Sequence, residues 1–221
     1  MDKTPVESPA SYTQMTAEEF LRWEHTGIAE WVDGEVFQMS VKQEHQAIVN
    51  FLNRLIGLFA QVFGLGVLYS APYSMRLRQG QSMREPDLMF VSQAHAQQIT
   101  SGGLEGPADL IIEVVSDESV ARDYDQKFEE YQAGGVREYW IIDSRPDRQR
   151  VSFFVLDERG EYQPVPLDAG NVYRSTVLPG FWLKTDWLWQ SPSPAIEGLL
   201  LKIGGQAYKA YLLEQISSVD D

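Results

Sequence analysis

One apolar segment of the chain is interrupted by a carboxylate in a way that suggests chemistry. It reads Asp109-Leu110-Ile111-Ile112-Glu113-Val114-Val115-Ser116. Alternation along a β-strand would place Ile111, Glu113 and Val115 on one face and the other aliphatic residues on the opposite face. A buried and unpaired carboxylate is unfavourable by several kcal/mol, so Glu113 requires a metal ion, a cationic partner or a raised pKa. An ion pair with an arginine near a strand end is the alternative explanation.

A second carboxylate, Asp87, stands at the start of another apolar segment. It follows Glu85-Pro86 and precedes Leu88-Met89-Phe90-Val91. The proline restricts how the chain enters the strand. Aspartate and proline are also common turn residues at strand starts, so this position alone does not identify a metal ligand.

Lys127 is a cation that could join these two acids. The segment 122–133 is predicted to be a helix, and aromatic residues at helical spacing mark its buried face: Tyr124, Phe128 and Tyr131. Lys127 lies at the edge of that face, where its stem can pack while the ammonium reaches the carboxylates of the sheet. The alternative is a surface ion pair between Asp123 and Lys127 at i, i+4, which contributes only a few tenths of a kcal/mol.

Two acids and one lysine suit a metal-dependent phosphodiester hydrolase. Carboxylates on adjacent strands can hold one or two Mg²⁺ ions, which accept hard oxygen ligands. Such an ion polarises the phosphoryl group, lowers the pKa of a bound water and stabilises the attacking and leaving oxygens. A nearby ammonium can orient the water or neutralise the transition state. The candidate catalytic residues are therefore Asp87, Glu113 and Lys127.

Local patterns predict the elements that position these residues. Thr16-Ala17-Glu18-Glu19 has the form of a capping box and predicts a short helix to about His25. Asp33-Gly34 between apolar stretches predicts a tight hairpin over 28–39. Apolar residues at three- and four-residue steps predict a helix over 44–63 with one buried face. Further strands are predicted at 67–71, 73–78, 88–91, 110–115, 138–143 and 151–156, with a short strand near Tyr162, and Gly134-Gly135 is predicted to close the helix over 122–133.

This order of elements predicts an α/β fold with a mixed β-sheet flanked by helices. The length of 221 residues suits one domain. We expect a flexible N-terminus at 1–15, the main domain at 16–190 and a peripheral C-terminal segment at 191–221. Pro192 and Pro194 act as breakers in that last segment.

Composition narrows the class of protein further. The chain has no cysteine, which excludes disulfides, cysteine-ligated zinc and thiol catalysis. No apolar run approaches the ~20 residues that span a bilayer, and the N-terminus lacks an apolar signal core, so we expect a cytoplasmic protein without membrane contact. The net charge of −14 disfavours tight non-specific binding to nucleic acid, and residues 101–145 alone carry eleven acids and four bases. Contact with nucleic acid would need a local basic strip or a divalent ion.

The motifs resemble the active-site pattern of the PD-(D/E)XK nuclease superfamily, and more closely the Uma-type restriction endonuclease family. The similarity runs from about Thr16 to Leu183. It is carried by Thr16–Trp23, Asp33-Gly34-Glu35, His45, Glu85-Pro86-Asp87, Pro107–Ser116, Asp123, Lys127, Tyr131, Gly135, Val136 and Glu138–Asp143.

The resemblance implies a restriction-endonuclease-like fold and a Mg²⁺-dependent endonuclease, with Mn²⁺ as a substitute ion. Asp87 and Glu113 would be the metal ligands, and the backbone carbonyl of Val114 could complete the metal shell. In the wider superfamily the lysine usually lies two residues after the glutamate, where this chain has Val115. In the Uma-type pattern the lysine has moved to the following helix, which indicates Lys127.

His45 and Glu35 are second-tier site candidates. His45 opens the predicted long helix, and the first core helix of this superfamily often directs a residue at the metal, although a histidine there is more often a capping or surface residue. Glu35 follows the hairpin turn and is ordinarily a plain strand residue. The expected partner is nucleic acid, most simply DNA, cut by a homodimer. The acidic charge keeps two alternatives open: an inactive nuclease-fold binding or regulatory module, and a hydrolase of small phosphoesters.

Overall fold

The protein is described by a computed structural model over residues 13–23, 28–39, 42–77, 83–116, 120 and 122–218. Within these ranges the α-helices are α1 (Ala17–Arg22), α2 (Gln43–Val62), α3 (Lys127–Gly134) and α4 (Ile196–Ser217). The first seven strands are β1 (Thr13–Gln14), β2 (Ile28–Val32), β3 (Glu35–Met39), β4 (Gly66–Ser70), β5 (Met75–Arg76), β6 (Met83–Arg84) and β7 (Leu88–Ser92). The others are β8 (Ile99–Thr100), β9 (Gly103–Glu105), β10 (Leu110–Val115), β11 (Glu138–Asp143), β12 (Arg150–Leu156), β13 (Tyr162–Pro164), β14 (Val172–Arg174) and β15 (Trp182–Lys184).

A six-stranded sheet forms the centre of the fold, in the order β13-β12-β11-β10-β7-β4. Only β10 and β11 run parallel in it, so the sheet is mixed as predicted. Val115 pairs with Asp143, and Ile112 pairs with Leu88. The strands β10 and β11 therefore finish at the same end of the sheet at which β7 and β12 begin. We call this the site end of the sheet.

Alternation along β10 separates two cores, as the sequence predicted. Leu110, Ile112 and Val114 pack into the cluster under α2 and α4. Ile111 and Val115 pack into a second cluster with Tyr131 of α3. All six residues of β10 are buried, because helices cover both faces of the sheet. Glu113 shares the parity of Ile111 and Val115 and therefore lies on the α3 face.

A second sheet, in the order β1-β3-β2-β6-β5-β9-β8, is built largely from very short strands. Its β2–β3 hairpin was predicted, and Asp33 and Gly34 adopt positive φ angles of 49° and 92° in the turn. The strand predicted at 73–78 is confined to Met75–Arg76 in the described residues. Strands of two or three residues show no periodicity that sequence reasoning could detect.

The helix predictions are confirmed in outline, with two differences. The Thr16–Glu19 capping box is present at the start of α1, and the prediction beyond Trp23 lies outside the described residues. The helix predicted over 122–133 begins with a π-helical turn, Arg122–Gln126, before α3, and it ends at Gly135 in the left-handed conformation.

The C-terminal segment, which we expected at the periphery, contains α4. The first half of α4 buries Ile196, Leu199, Leu200 and Ile203 in the cluster on α2. Leu213 and Ile216, in its second half, are exposed. No helix of the described ranges is both long and apolar enough to span a membrane.

Candidate functional site

Asp87 lies at the site end of the sheet, just before β7. Continuing the β7–β10 register by one residue places it opposite Glu113. Its Oδ2 atom accepts a hydrogen bond from the backbone N–H of Val114 at 2.7 Å and lies 3.1 Å from Nε2 of His45. A strand end and the third residue of α2 thus orient this carboxylate, which is largely buried.

Lys127 and Glu113 form a buried ion pair. Nζ of Lys127 lies 3.0 Å from Oε1 of Glu113, and the hydroxyl of Tyr131 donates to the same oxygen at 2.8 Å. Tyr131 follows Lys127 by one helical turn, so both side chains reach β10 from one face of α3. The structure therefore brings Lys127 to the carboxylate that the sequence analysis paired with it, although Val115 occupies the position two residues after Glu113.

The π-helical turn before α3 explains how two charged residues enter this buried region together. Oδ1 of Asp123 lies 3.3 Å from Nζ of Lys127, and both side chains are almost fully buried. The i, i+4 pair is therefore an interior contact, and the alternative of a surface pair is wrong. A wider turn re-aims side chains relative to a regular α-helix, and such turns are frequent at functional sites.

The second sheet completes the cluster with residues that the sequence analysis missed. Glu30 of β2 is fully buried, with Oε1 3.0 Å from Nζ of Lys127 and Oε2 3.1 Å from a guanidinium nitrogen of Arg84. Arg84 of β6 also donates twice to Glu130 of α3, at 2.8 Å for each contact. Glu130 is therefore only partly exposed, because Arg84 approaches it from the other sheet.

A signal for Glu30 existed in the sequence. It interrupts the apolar segment Ile28-Ala29-Glu30-Trp31-Val32 just as Glu113 interrupts β10. A buried carboxylate in a strand demands a partner in either case. Nε of Arg122 lies 3.7 Å from Oε2 of Glu30. No local sequence pattern predicts this contact, because it joins two separate elements.

Burial and neighbouring charges shift the pKa values of Glu113 and Glu30 in opposite directions. Burial raises the pKa of Glu113 to about 8, although Lys127 opposes this shift. The charges of neighbouring carboxylates act together with burial on Glu113: Asp123, Asp87 and Glu30. Burial would also raise the pKa of Glu30, but Lys127, Arg84 and Arg122 outweigh it and lower that pKa to about 2.

The ammonium of Lys127 is held in its charged form. Burial alone would lower the pKa of Lys127, but the carboxylates around it reverse the effect and raise that pKa above its ordinary value. Those carboxylates belong to Glu113, Glu30 and Asp123. Lys127 is therefore a hydrogen-bond donor and a fixed positive charge, and it cannot serve as a base near neutral pH.

The donor set suits a hard divalent cation. Within the described residues no group of three or more histidine and carboxylate side chains is arranged to hold a metal. Mg²⁺ commonly needs only one or two carboxylates, with water and substrate oxygens completing its shell. Asp87 and Glu113 supply two carboxylates at one end of the sheet, and their mutual repulsion is part of the raised pKa of Glu113. A cation between them would relieve that repulsion.

The charge balance around the site agrees with this fit. In the described part of the chain the connected cluster holds five carboxylates and three cations. Its acids are Glu30, Asp87, Glu113, Asp123 and Glu130, and its cations are Arg84, Arg122 and Lys127. A cavity of about 70 Å³ lies beside Asp87 and His45, and it is lined further by Asn50, Asn53 and Ser70. The cavity therefore reaches Asp87, one of the five carboxylates of the cluster.

The second-tier candidates His45 and Glu35 differ in whether they lie near Asp87. His45 is buried and contacts Asp87, so the structure brings it to the site. Its Nδ1 atom is also buried and has no hydrogen-bond partner in the described residues. Glu35 is exposed at the start of β3, where it pairs with Val32 and Gln14. The structure gives Glu35 no contact with the site residues that it describes.

Comparison with known proteins agrees with the fold. Residues 17–186 match the Uma2 family, whose description is "Putative restriction endonuclease". A similar solved structure is that of a "putative nuclease belonging to DUF820" from Anabaena variabilis ATCC 29413. It has a TM-score of 0.63 and 18% sequence identity, and the match covers 79% of this chain and 97% of that chain. A search of curated proteins found no match.

The fold is α/β with a mixed central sheet, and it is similar to the fold of the Anabaena variabilis protein. The chain belongs to the Uma2 family of restriction-endonuclease-like proteins, because the match spans most of its length.

Proposed function

We propose that the protein is a Mg²⁺-dependent endonuclease that hydrolyses phosphodiester bonds in DNA, with Mn²⁺ able to replace Mg²⁺. One observation carries this proposal: Asp87, Glu113 and Lys127 come from three different elements and meet at one end of the sheet. A cytoplasmic homodimer, in which two such sites cut the two strands of a duplex, is part of the same proposal.

Asp87 and Glu113 would hold the ion, and the Val114 carbonyl is the candidate third protein oxygen. When bound, the ion would supply polarisation of the phosphoryl group and a more acidic water. The Val114 N–H and His45 hold Oδ2 of Asp87, while Tyr131 and Lys127 hold Oε1 of Glu113. Both carboxylates are therefore oriented before any ligand arrives, which reduces the reorganisation required at the reaction step.

Lys127 would act on the phosphate as a fixed positive charge, because its three N–H groups face Glu30, Glu113 and Asp123. Its raised pKa keeps the ammonium charged, so it stabilises the negative charge that develops on the phosphoryl oxygens. Three carboxylates surround Nζ and fix its position, so the side chain is already ordered before substrate binds. Glu30 would thus be a positioning residue for Lys127, because it contacts the lysine.

The second candidate function is a catalytically inactive binding or regulatory module on the same fold. It is favoured by the net charge of −14, because a polyanionic substrate would be repelled by most of the surface. The two candidates differ in whether bond cleavage depends on Glu113.

The test is cleavage of supercoiled plasmid and of single-stranded DNA in Mg²⁺, Mn²⁺ or a chelator. Glu113→Gln and Lys127→Met should each reduce the rate by at least about 100-fold, since each removes a group that acts on the transition state. Glu129→Gln and Lys202→Met provide matched controls, because they make the same chemical changes at exposed helix positions. We expect both controls to cleave like the wild type.

Each outcome decides between the candidates. Metal-dependent cleavage that disappears in both site variants supports the nuclease. Cleavage that persists in Glu113→Gln refutes this site. A wild-type protein that binds Mn²⁺ and cuts neither form of DNA would shift the conclusion to the binding module, and activity on small phosphoesters alone would replace DNA as the substrate.

A further inference from the structure

The turn between β11 and β12 lies directly beside the candidate site. Asp143 ends β11 opposite Val115 and pairs on its other side with Arg150, the first residue of β12. The hydroxyl of Ser144 donates to the carbonyl of Val115 at 3.1 Å. Two strand spacings, roughly 10 Å, therefore separate β10 and its Glu113 from β12 at this end of the sheet. We call residues 144–150 the arginine turn.

This turn is basic in an acidic protein. It carries three arginines and one aspartate, whereas the whole chain has a net charge of −14. Arg145 is engaged internally, because its guanidinium donates to both carboxylate oxygens of Asp143 at 2.8 and 2.7 Å. Arg148 and Arg150 are exposed. The contact of Arg148 with Asp147 spans 3.6 Å between solvent-exposed groups, which is a weak interaction that a phosphate can displace.

Arg150 is packed against the segment that delivers Lys127. Its guanidinium carbon lies 5.5 Å from the ring centroid of Tyr124, in the π-helical turn just before Lys127. Within the part of the chain that the structure describes, no carboxylate lies within ion-pair distance of Arg150. The guanidinium is oriented by stacking on Tyr124 and by its hydrogen bond with the Tyr124 side chain, and its remaining N–H donors face solvent at an exposed position.

The backbone of the turn is preorganised. The N–H groups of Arg148 and Gln149 both donate to the carbonyl of Arg145, at 2.9 and 3.1 Å. Gln149 adopts the left-handed conformation with φ of 40°, which reverses the chain into β12. Because the turn is closed by its own hydrogen bonds, it can present two guanidinium groups with little loss of backbone entropy on binding.

We propose that Arg148 and Arg150 bind backbone phosphates of the nucleic-acid strand whose scissile bond lies at Glu113 and Lys127. This inference rests on the proposed function and adds the surface that holds the substrate. A guanidinium group matches a phosphate with paired N–H donors. The separation of roughly 10 Å corresponds to about three nucleotides at ~3.4 Å of rise per residue. A local basic turn also explains how an acidic chain can engage a polyanion beside a carboxylate-rich site.

The test is the salt dependence of binding of a dye-labelled oligonucleotide, measured by fluorescence anisotropy in Ca²⁺ with the full-length protein. Single-stranded and duplex probes are titrated at KCl concentrations from about 25 to about 200 mM. Over this range the release of counterions makes the affinity depend steeply on salt. The variant is Arg148→Ala/Arg150→Ala. The control is Arg159→Ala/Arg174→Ala, which removes the same charge from exposed positions outside the turn.

The turn variant should bind at least about tenfold more weakly at low salt. Its slope of log K against log salt should be shallower by roughly 1.4 on single strands or 1.8 on duplex, since each lost phosphate contact removes ~0.7 or ~0.9. The control should keep the wild-type affinity and slope. Because Arg148 and Arg150 are exposed, both variants should melt like the wild type.

The inference fails if the turn variant keeps the wild-type slope, if both variants lose affinity equally, or if the wild type binds neither probe. Its failure is distinguishable from failure of the proposed function. Cleavage by the wild type with unchanged binding by the turn variant overturns the role of the turn alone. Binding that depends on the turn, without any metal-dependent cleavage, supports the turn and overturns the nuclease.

Discussion

Nζ of Lys127 lies 3.0 Å from Oε1 of Glu113, although the lysine is on a helix and the glutamate is in the centre of a strand. The contact crosses from α3 to β10 in the apolar layer between them. Val115, two residues after Glu113, is fully buried in the same layer. A helix that carries its lysine over the sheet can therefore place an ammonium beside the glutamate without a lysine in the strand.

Removing Lys127 should destabilise the protein, and the effect should be coupled to the loss of the Glu113 charge. We expect Lys127→Met to lower the free energy of unfolding by about 3–5 kcal/mol, because it leaves the buried carboxylates of Glu113, Glu30 and Asp123 without this cation. The double variant with Glu113→Gln should be less destabilised than the sum of the single variants by about 0.5–3 kcal/mol. Urea unfolding in a chelator measures both quantities. Additive effects would show that the two charges are not coupled.

Tyr131 should matter for metal binding through Glu113. Its hydroxyl donates to Oε1 of Glu113 at 2.8 Å, so Tyr131→Phe removes a hydrogen bond that orients a candidate ligand. We expect Mn²⁺ affinity to fall by about 10–100-fold, the usual effect of losing a group that holds a ligand. Calorimetric titration with Mn²⁺ measures the change.

Tyr162→Phe is the matched control for this experiment. The Tyr162 hydroxyl is also buried, but it donates to the Val136 carbonyl at 2.9 Å, away from the carboxylates of the site. Its loss should lower stability and leave Mn²⁺ affinity unchanged. Equal effects of the two substitutions would contradict a specific role for Tyr131.

Glu138 should be essential for stability and dispensable for cleavage. It is fully buried in β11, and its oxygens accept hydrogen bonds from Trp140 Nε1, the Ser175 hydroxyl, the Thr176 N–H and hydroxyl, and the Val177 N–H. In Glu138→Gln, the amide N–H₂ group faces these donors and cannot accept from them. We expect the free energy of unfolding to fall by about 2–4 kcal/mol. Denaturant midpoints measure it. The folded variant should cleave at the wild-type rate, and a catalytic defect without loss of stability would refute this assignment.

Asp109 should make stability depend on pH in acid. Burial would raise the pKa of Asp109, but hydrogen bonds from the Ser92 N–H and from His95 outweigh burial and lower that pKa below its ordinary value. The unfolded chain therefore binds a proton at higher pH than the folded protein does. The stabilising contribution is complete above the unfolded-state pKa of about 3.9, and it is lost as the pH falls through the lower folded-state pKa.

The measurement compares Asp109→Asn with the wild type by urea unfolding between pH 7 and pH 2. Asparagine does not titrate, so the stability difference should be about 2 kcal/mol at pH 7 and should shrink below about pH 4. A difference that stays constant across this range would show that the carboxylate charge does not stabilise the fold.

Much of the fold follows from local patterns. The strand 110–115 and its two faces, the strand 138–143, the hairpin at Asp33-Gly34 and the capping box at Thr16 are all present as predicted. Each depends on residues close together in the chain, where periodicity and turn chemistry act directly. The short strand β5 lies within the strand predicted at 73–78, whereas β6, β8 and β9 form only because neighbouring strands supply their hydrogen bonds, and the sequence carried no separate signal for those three.

Some residues of the candidate site could likewise be predicted from the sequence, and others could not. The sequence alone identified Asp87, Glu113 and Lys127, because a carboxylate in an apolar strand and a lysine beside an aromatic helix face both require an explanation. Only the tertiary structure showed that Glu30 and Arg84 arrive from a second sheet, that Asp123 and Glu130 are drawn into the cluster, and that the arginine turn lies at the same end of the sheet. The physical reason is that strand parity is set within one segment. The partner of a buried charge is set by which segments pack together, and that depends on the whole chain.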